Sequence, residues 1–538
     1  MADIEADVII VGSGISGALL AARLSKAGVK IAILEAGARV NRAEARQRFW
    51  AAPIRVPECP YPPMPQAEHP ISNDPDYWYR QTGPNKFKST YLKVVGGTTW
   101  HWLGTCLRFV PNDFRLRTAH GRGLDWPIGY DELEPFYSEA EHEIGVAGDS
   151  NEPLGSPRSA GYPMPAVPQT FLDKAYARAL TGTDFELLAT PQARNSVEGN
   201  GRPACCGNAS CIPVCPIGAK YDATVHLSLA EKRGAILHAE TTATRVEVDA
   251  DGRVAAIHFK RWDGSEGRAT AKVFVLAAHA IETPRLLLHS RNEALPNGVA
   301  NSSDQVGRNL MDHPTQLSWA LATEPVWPYR GPLSTSSIEN SRDGAFRKDR
   351  PAMRIEIGND GWSWPKGAPA TTAAELARQG LRGRALDLAL RDQASRHLRL
   401  ASQVEQSPDP DNRVTLEQND KDMYGVPLPR LAFRLDAYVE AGLAAARAAH
   451  ADIFGRLGAT EIQHRDAPEG AGHIMGTARM GNDPKSSVVD RDLLSHDHRN
   501  LVILGSAVFP TGATANPTLT IAALSLRAAE RVKAALTQ

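Results

Sequence analysis

The sequence predicts an α/β protein, α+β overall, in which a discontinuous Rossmann-like dinucleotide-binding domain is interrupted by an inserted sheet-and-helix substrate domain. Three observations carry that expectation. The β-branched run Asp7-Val8-Ile9-Ile10-Val11 leads straight into Gly12-Ser13-Gly14-Ile15-Ser16-Gly17 and a helical pattern. A second buried-type strand, Asn500-Leu501-Val502-Ile503-Leu504, stands near the other end, before a turn at Gly505-Ser506 and a helix from Thr518. Between them, residues 317 to 463 alternate strand and helix patterns of their own. A length of 538 residues accommodates two to four domains.

Each element at the N-terminus has a physical task. The helical stretch Ala18 to Ala27 carries Leu19, Leu20 and Leu24 on its pattern and ends at Gly28, after which Ile31-Ala32-Ile33-Leu34 forms a second strand closing on Glu35. Gly12 allows the tight turn, Gly14 lets backbone approach a pyrophosphate, and Gly17 lets helix and strand pack closely. The helix start holds the anion. Glu35, eighteen residues after Gly17, is placed to accept hydrogen bonds from ribose hydroxyls. NAD and FAD enzymes both use an acid here, so these residues alone leave the dinucleotide open.

Further along, Pro53 to Pro65 and Pro157 to Pro168 read as irregular arms, because apolar and aromatic residues are interleaved with the prolines. Strands are expected at Ala243 to Val248, Val254 to Lys260 and Val273 to Ala278, with turns at Asp249 to Gly252 and Asp263-Gly264 and a helix near Pro284 to His289. In the inserted region, Met353 to Ile357, His397 to Val404 and Arg413 to Leu416 read as strands. Ala373 to Arg396 and Tyr438 to Leu457 read as long helices.

Composition narrows the functional classes. Apolar residues at 42% and charged residues at 22% are ordinary globular usage. Sixty Lys and Arg against 61 Asp and Glu leave a net charge of -1, with no basic excess for a nucleic-acid backbone. No apolar run reaches the ~18 residues of a membrane span, and the acidic Met1-Ala2-Asp3-Ile4-Glu5-Ala6-Asp7 lacks the cations of a signal peptide. The cysteines are uneven: Cys59 and Cys106 stand alone, whereas Cys205, Cys206, Cys211 and Cys215 fall within eleven residues. Such clustering points to a metal or redox site. The spacing Cys206-x4-Cys211-x3-Cys215 is not the paired C-x-x-C of structural zinc, and Cys215-Pro216 matches the ending of ferredoxin-type runs. Zinc and a disulfide stay open as alternatives, although adjacent Cys205 and Cys206 would bridge only with strain.

Several blocks in order make the chain resemble the glucose-methanol-choline (GMC) family of FAD-dependent oxidoreductases. They are the N-terminal fingerprint, Val94 to Trp102, Trp126 to Tyr137, Ala277 to Pro284, Gly505 to Pro510 and Asn516 to Thr520. Within the family, Cys205 to Ala219 and Asn301 to Pro314 are similar to the catalytic subunit of bacterial membrane-associated sugar dehydrogenases of the glucose, fructose and sorbitol type. Around the histidine at Gly472 to Gly481, and at Asn516-Pro517, the sequence is nearer the general family pattern.

The resemblance implies an FAD-binding domain from residues 1–50, 90–125, 200–316 and 464–538, with the cysteine segment at 205–216. The substrate domain and connecting arms then take 51–89, 126–199 and 317–463. It implies FAD contacts from Gly12, Gly14, Ile15, Ser16, Gly17, Glu35, Ala36, Gly96, Gly97, Thr98, His101, Trp102, Val246, Ala278, Gly505, Pro517 and Thr518. It also implies a three-iron iron–sulfur cluster on Cys206, Cys211 and Cys215, with Cys205 as a further possible ligand. His101 before Trp102 is similar to the position where some family members tether FAD covalently, and a packing or flavin-contacting role fits it as well.

The chemistry that follows is removal of a hydride from a carbinol carbon, with the hydroxyl proton passing to a base near neutral pKa, a task suited to imidazole. The resemblance makes His473, in the turn before the last βα element, the expected base, and Asn516 the residue orienting the alcohol oxygen; Asn516 could instead be a helix cap. The start of the following helix would set positive dipole near the flavin. Hydride transfer collects two electrons, whereas a cluster and a haem pass one at a time. No C-x-x-C-H haem site occurs in the chain. Any haem must then sit on a partner, and the resemblance implies as partners a sugar or polyol substrate, glucose first, a small chaperone-like subunit and a multihaem cytochrome c subunit. The expected location is the periplasmic face of the inner membrane, reached with an exported partner, or the cytoplasm if the chain acts alone. A stand-alone oxidase and an electron-transfer flavoprotein without an alcohol substrate are the other functions these residues allow.

Overall fold

Val8–Val11 is buried at every position, which only a strand covered on both faces permits. The computed structural model describes residues 3–52, 60–62, 79–89, 91–360 and 369–537. In it, Val8–Val11 is the centre of a five-stranded, wholly parallel sheet ordered Leu501–Ile503, Val273–Leu276, Val8–Val11, Ile31–Leu34, Ile236–His238. The first, middle and last parts of the chain thus meet in one sheet. Helix Ile15–Ser25 packs against Thr518–Thr537 and Thr224–Lys232 to cover it. Beside it, Thr241–Val248, Val254–Arg261 and Glu266–Thr270 form an antiparallel meander to which Ile4–Glu5 adds in parallel.

A second sheet of seven strands is antiparallel throughout. Its main order is Thr460–His464, Pro314–Leu321, His397–Val404, Met353–Gly358, Ser336–Ile338, Leu187–Ala189, with Glu469–Gly470 paired to Pro314–Leu321. His397–Val404 and Met353–Gly358 are buried along their whole length. Their two faces nevertheless differ in kind, because side chains alternate across a strand. Ile355, Ile357, Leu398 and Leu400 pack with Leu172, Tyr176, Ile453 and Phe454 of the helices Phe171–Leu180 and Ala437–Arg456. Arg354, Glu356, Arg399 and Gln403 occupy the opposite face.

Several elements depart from the sequence expectation. The single helix expected over Ala373 to Arg396 is two, Pro369–Arg378 and Gly383–Arg396, broken where Gly380 takes a φ of +96°. The strand expected at Arg413 to Leu416 runs to Lys421 through a register shift, pairing with Pro427–Ala432, a strand its prolines conceal. Pro314–Leu321 was not legible as a strand either. Most of Pro53 to Pro65, including Cys59, lies outside the described residues. Among the described residues no helix is long and apolar enough to cross a membrane.

Candidate active site

The two sheets face each other across a cavity of about 1820 Å³. That exceeds the ~300 to 1,000 Å³ of a site for one small ligand. At one end the strand–turn–helix residues Gly12, Gly14, Ile15 and Ser16 line it with Glu35, Ala36, Gly97, Thr98 and Ala278. The three glycines play different parts. A Cβ on Gly12 would lie 2.4 Å from Ala277 O, and one on Gly17 2.1 Å from Gly12 O, whereas one on Gly14 would meet no protein atom within 4 Å. Gly14 borders open space at the uncapped start of helix Ile15–Ser25, where free N–H groups and the helix dipole favour an anion. Glu35 is buried; its Oε2 accepts from Ser13 N at 3.0 Å and Ser13 Oγ at 2.6 Å, and its Oε1 from Gly37 N at 3.0 Å. Burial raises its pKa, and these donors and nearby Lys93 oppose the rise. Three of its roughly four acceptor positions are used, which leaves one for a ligand hydroxyl.

At the other end stands a histidine pair whose protonation is set from both sides. His473 Nδ1 lies 2.8 Å from His313 Nδ1, and His313 Nε2 lies 3.1 Å from Gly512 O. A carbonyl only accepts, so His313 carries its proton on Nε2 and its Nδ1 accepts from His473 Nδ1–H. His473 Nε2 is then a bare lone pair. The far side requires the same assignment: Asn516 Oδ1 accepts from Arg354 Nη1 at 3.1 Å, which turns the Asn516 NH2 onto His473 Nε2 at 3.0 Å. Burial, then the neighbouring His313 and Arg354, hold His473 well below the ordinary histidine pKa, so the imidazole is neutral. Burial likewise brings His313 down to about 4. Asp312 Oδ1 accepts from the backbone N–H groups of His473 at 2.9 Å and His313 at 2.7 Å, fixing the two segments together.

The inserted sheet supplies a polar wall. Thr315, Leu317, Glu356, Arg399, Ala401 and Gln403 line the cavity. Arg399 donates to Asp360 Oδ1 at 2.6 Å and Glu356 Oε1 at 3.2 Å. It lies flat over Gly358, where a Cβ would come within 2.1 Å of its Nε. His101 also lines the cavity; burial, then the charge of Lys220, brings its pKa down to about 3, and its Nδ1 has no hydrogen-bond partner among the described residues.

The cysteine segment divides this cavity from a second, much smaller void of about 10 Å³, room for one water at most. Asn208, Ala209, Ser210, Ile212 and Pro213 face the large cavity. Cys205, Cys206, Cys211 and Cys215 border the small one with Arg194. Backbone N–H groups donate to sulfur, Gly207 to Cys205 at 3.4 Å and Lys220 to Cys215 at 3.5 Å. Burial opposes ionisation of Cys215, but the N–H groups of Lys220 and Ile217 and the charges of Lys220 and Arg42 bring it below the usual thiol value. Arg194 Nη1 is buried without a partner among the described residues. These donors and cations fit a thiolate-bound, anionic centre in chemistry. The thiols are not drawn around one point: among the described residues no group of three His, Cys, Asp or Glu side chains is placed to hold a metal ion.

The GMC oxidoreductase family model matches residues 6–315 and 408–525. The chain belongs to the GMC oxidoreductase family. It is 39% identical to the fructose dehydrogenase large subunit of Gluconobacter japonicus over 98% of both chains. It is 28% identical to 2-methyl-1,2-propanediol dehydrogenase of Mycolicibacterium austroafricanum, covering 98% of this chain and 95% of the relative. The fold is similar to that of pyridoxine 4-oxidase from Mesorbium loti, with a TM-score of 0.65 at 18% identity over 98% of this chain and 99% of the other. This is a GMC-fold, FAD-dependent oxidoreductase acting on CH–OH donors.

The residues at the nucleotide end fit FAD. The open space at Gly14, the spare acceptor position on Glu35 and the unpartnered Nδ1 of His101 are each what a bound dinucleotide would use. Of the positions expected from sequence to contact it, Trp102, Gly505, Pro517 and Thr518 also line the cavity. Three do not. Gly17 serves the helix–strand packing, and the Gly96 N–H donates to Ser13 Oγ at 3.1 Å. Val246 donates its N–H to Ser290 Oγ at 2.8 Å and its side chain is in the core, while Thr241, Thr242 and Ala243 of the same strand line the cavity. Asn516 is not a helix cap, because the helix begins at Thr518 and both ends of its amide are engaged elsewhere. Sequence reasoning missed His313, Arg354, Glu356, Arg399 and Gln403. The signal for the last four was polar residues at alternate positions of strands whose intervening residues, Ser402 apart, are apolar.

Proposed function

We propose that the chain is a dehydrogenase of a sugar or polyol, with fructose the first substrate to test by likeness to its relative, and glucose and sorbitol beside it. The observation that carries this reading is the bare His473 Nε2, held against the Asn516 NH2 at the edge of a cavity whose facing wall is polar. A substrate hydroxyl entering between them donates its proton to His473 Nε2, while its oxygen accepts from Asn516. FAD, when bound, supplies the acceptor for the hydride that leaves the carbinol carbon. His313 accepts the Nδ1 hydrogen bond and so keeps Nε2 free to take the proton. Gly14 and Glu35 hold the nucleotide, and the Arg399–Glu356–Asp360 cluster offers donors and acceptors to the remaining hydroxyls.

The same reading gives the cysteine segment an iron–sulfur cluster held by Cys206, Cys211 and Cys215, with Cys205 beside them. Support comes from four thiols around one void, N–H donors to sulfur, and the cations Arg194 and Lys220 nearby. Such a cluster supplies one-electron steps toward a multihaem cytochrome c subunit. The small chaperone-like subunit and a position at the periplasmic face of the membrane, held there through partners, complete the proposal. Iron, acid-labile sulfide and flavin per chain test it. About three irons per flavin support the cluster. Flavin without iron, together with peroxide formed from sugar and oxygen, replaces it with a stand-alone oxidase.

A further inference from the structure

One guanidinium nitrogen holds two amides at the head of the cavity. Arg354 Nη1 donates to Asn516 Oδ1 at 3.1 Å and to Gln403 Oε1 at 2.8 Å, and Nε donates to Glu339 Oε1 at 3.2 Å. Arg354 is fully buried. Because a guanidinium only donates, both amide oxygens are committed to it and both NH2 groups are turned away. That of Asn516 meets His473 Nε2. That of Gln403 has no partner among the described residues, and Gln403 is part of the cavity wall. In the sheet, Thr315, Gln403 and Arg354 form one cross-strand row, and Leu317, Ala401 and Glu356 the next row on the same face. Moving away from His473, the wall therefore passes from an amide donor to carboxylate acceptors on Glu356 and Asp360.

We propose that Gln403, set by Arg354, is the donor that reads the oxygen on the carbon next to the reacting hydroxyl, so that the site selects alcohols oxygenated at that neighbouring carbon: vicinal diols, ketoses and pyranoses. This rests on the sugar or polyol reading above. When substrate fills the cavity, the Gln403 NH2 loses water. A neighbouring oxygen restores its hydrogen bond, whereas a deoxy analogue leaves it unpaired, the circumstance in which a polar site discriminates most strongly. Arg354 is a positioning residue: it touches no reacting atom, yet it decides which way two amides face.

The experiment uses the FAD-loaded enzyme with a one-electron dye. It compares kcat and KM for an oxidised polyol and for its analogue lacking the neighbouring hydroxyl. Wild type is expected to favour the polyol by about tenfold or more in kcat/KM. Gln403→Leu is expected to erase that preference in kcat/KM, lowering it for the polyol by about tenfold more than for the deoxy analogue. Gln403→Glu does the same while still accepting from Arg354, which separates the missing donor from a disturbed Arg354. Arg354→Lys is expected to lower kcat for both substrates at unchanged flavin content, because Asn516 is released. A preference for the polyol that survives in both Gln403 variants overturns the assignment alone. A wild type that oxidises simple alcohols and no polyol overturns the substrate reading and the assignment with it.

Discussion

His313 gives His473 the tautomer on which base chemistry depends, and replacing it tests that dependence quantitatively. His313→Leu removes the acceptor 2.8 Å from His473 Nδ1 and leaves a buried N–H unpaired. An unsatisfied buried donor costs about 1 to 3 kcal/mol. That energy is what now biases His473 toward a bare Nε2, and at ~1.4 kcal/mol per decade it is worth about one to two decades of tautomer population. Asn516 keeps part of the bias, because its NH2 still asks Nε2 to accept. The expected fall in kcat/KM is therefore about 10- to 100-fold, nearer the lower value. A second readout is the pH profile. His473 titrates below the ordinary 6.5, so the acid limb of kcat/KM lies below pH 6.5, and activity is lost as pH falls through it. His313→Asn, which returns a carbonyl acceptor, recovers part of the rate. A His313→Leu enzyme with full flavin content and a rate within about threefold of wild type would falsify the tautomer argument.

Other outcomes follow from the same geometry. Gly14→Val fills the open space at the helix start, so it loses FAD while its thermal unfolding as apoprotein stays near wild type; Gly17→Val, which would press on Gly12 O, lowers apoprotein stability as well. Glu35→Gln faces Ser13 N, Ser13 Oγ and Gly37 N with one acceptor too few, and isothermal titration should show FAD binding weakened by about 5- to 100-fold, the equivalent of ~1 to 3 kcal/mol. His450 is buried between Ser402 Oγ and Ser318 Oγ, and burial brings it down to about 3. Its folded pKa lies below its unfolded 6.5, so its contribution to stability is complete above pH 6.5 and declines as pH falls toward about 3, by about 2 kcal/mol at pH 5. Urea unfolding at pH 7 and pH 5 measures this, and His450→Gln should remove that share of the pH dependence.

What could be read from sequence was what is local. Val8–Val11, the glycine turn, the helix and Glu35 are adjacent in sequence and in space, so residue pattern alone locates them. Leu501–Ile503 is recognisable as a buried strand, and its place beside Val273–Leu276 follows once both ends of the chain share a pattern. His473 and Asn516 were found by family resemblance, but their protonation was not, because it depends on His313, 160 residues before His473, and on Arg354 reaching Asn516 across the domain boundary. No periodicity reports such convergence. Gln403 and Arg399 sit in His397–Val404, whose polar positions resemble an exposed face until the opposite sheet closes the cavity over them. Val246 lies on a strand that reaches the cavity, three residues from Ala243, which lines it. The cysteine cluster was legible as a group of neighbouring thiols, and all four border one small void.

The most direct test is anaerobic. Purified FAD-loaded protein is mixed with fructose, then glucose, then sorbitol, while the visible absorbance of the flavin is followed. At least one of these should bleach the flavin within a single turnover, and His473→Asn should slow that bleaching by about two to four decades, the usual contribution of a general base. A flavin that dithionite reduces but none of these substrates does, or one bleached equally fast in His473→Asn, would contradict the account.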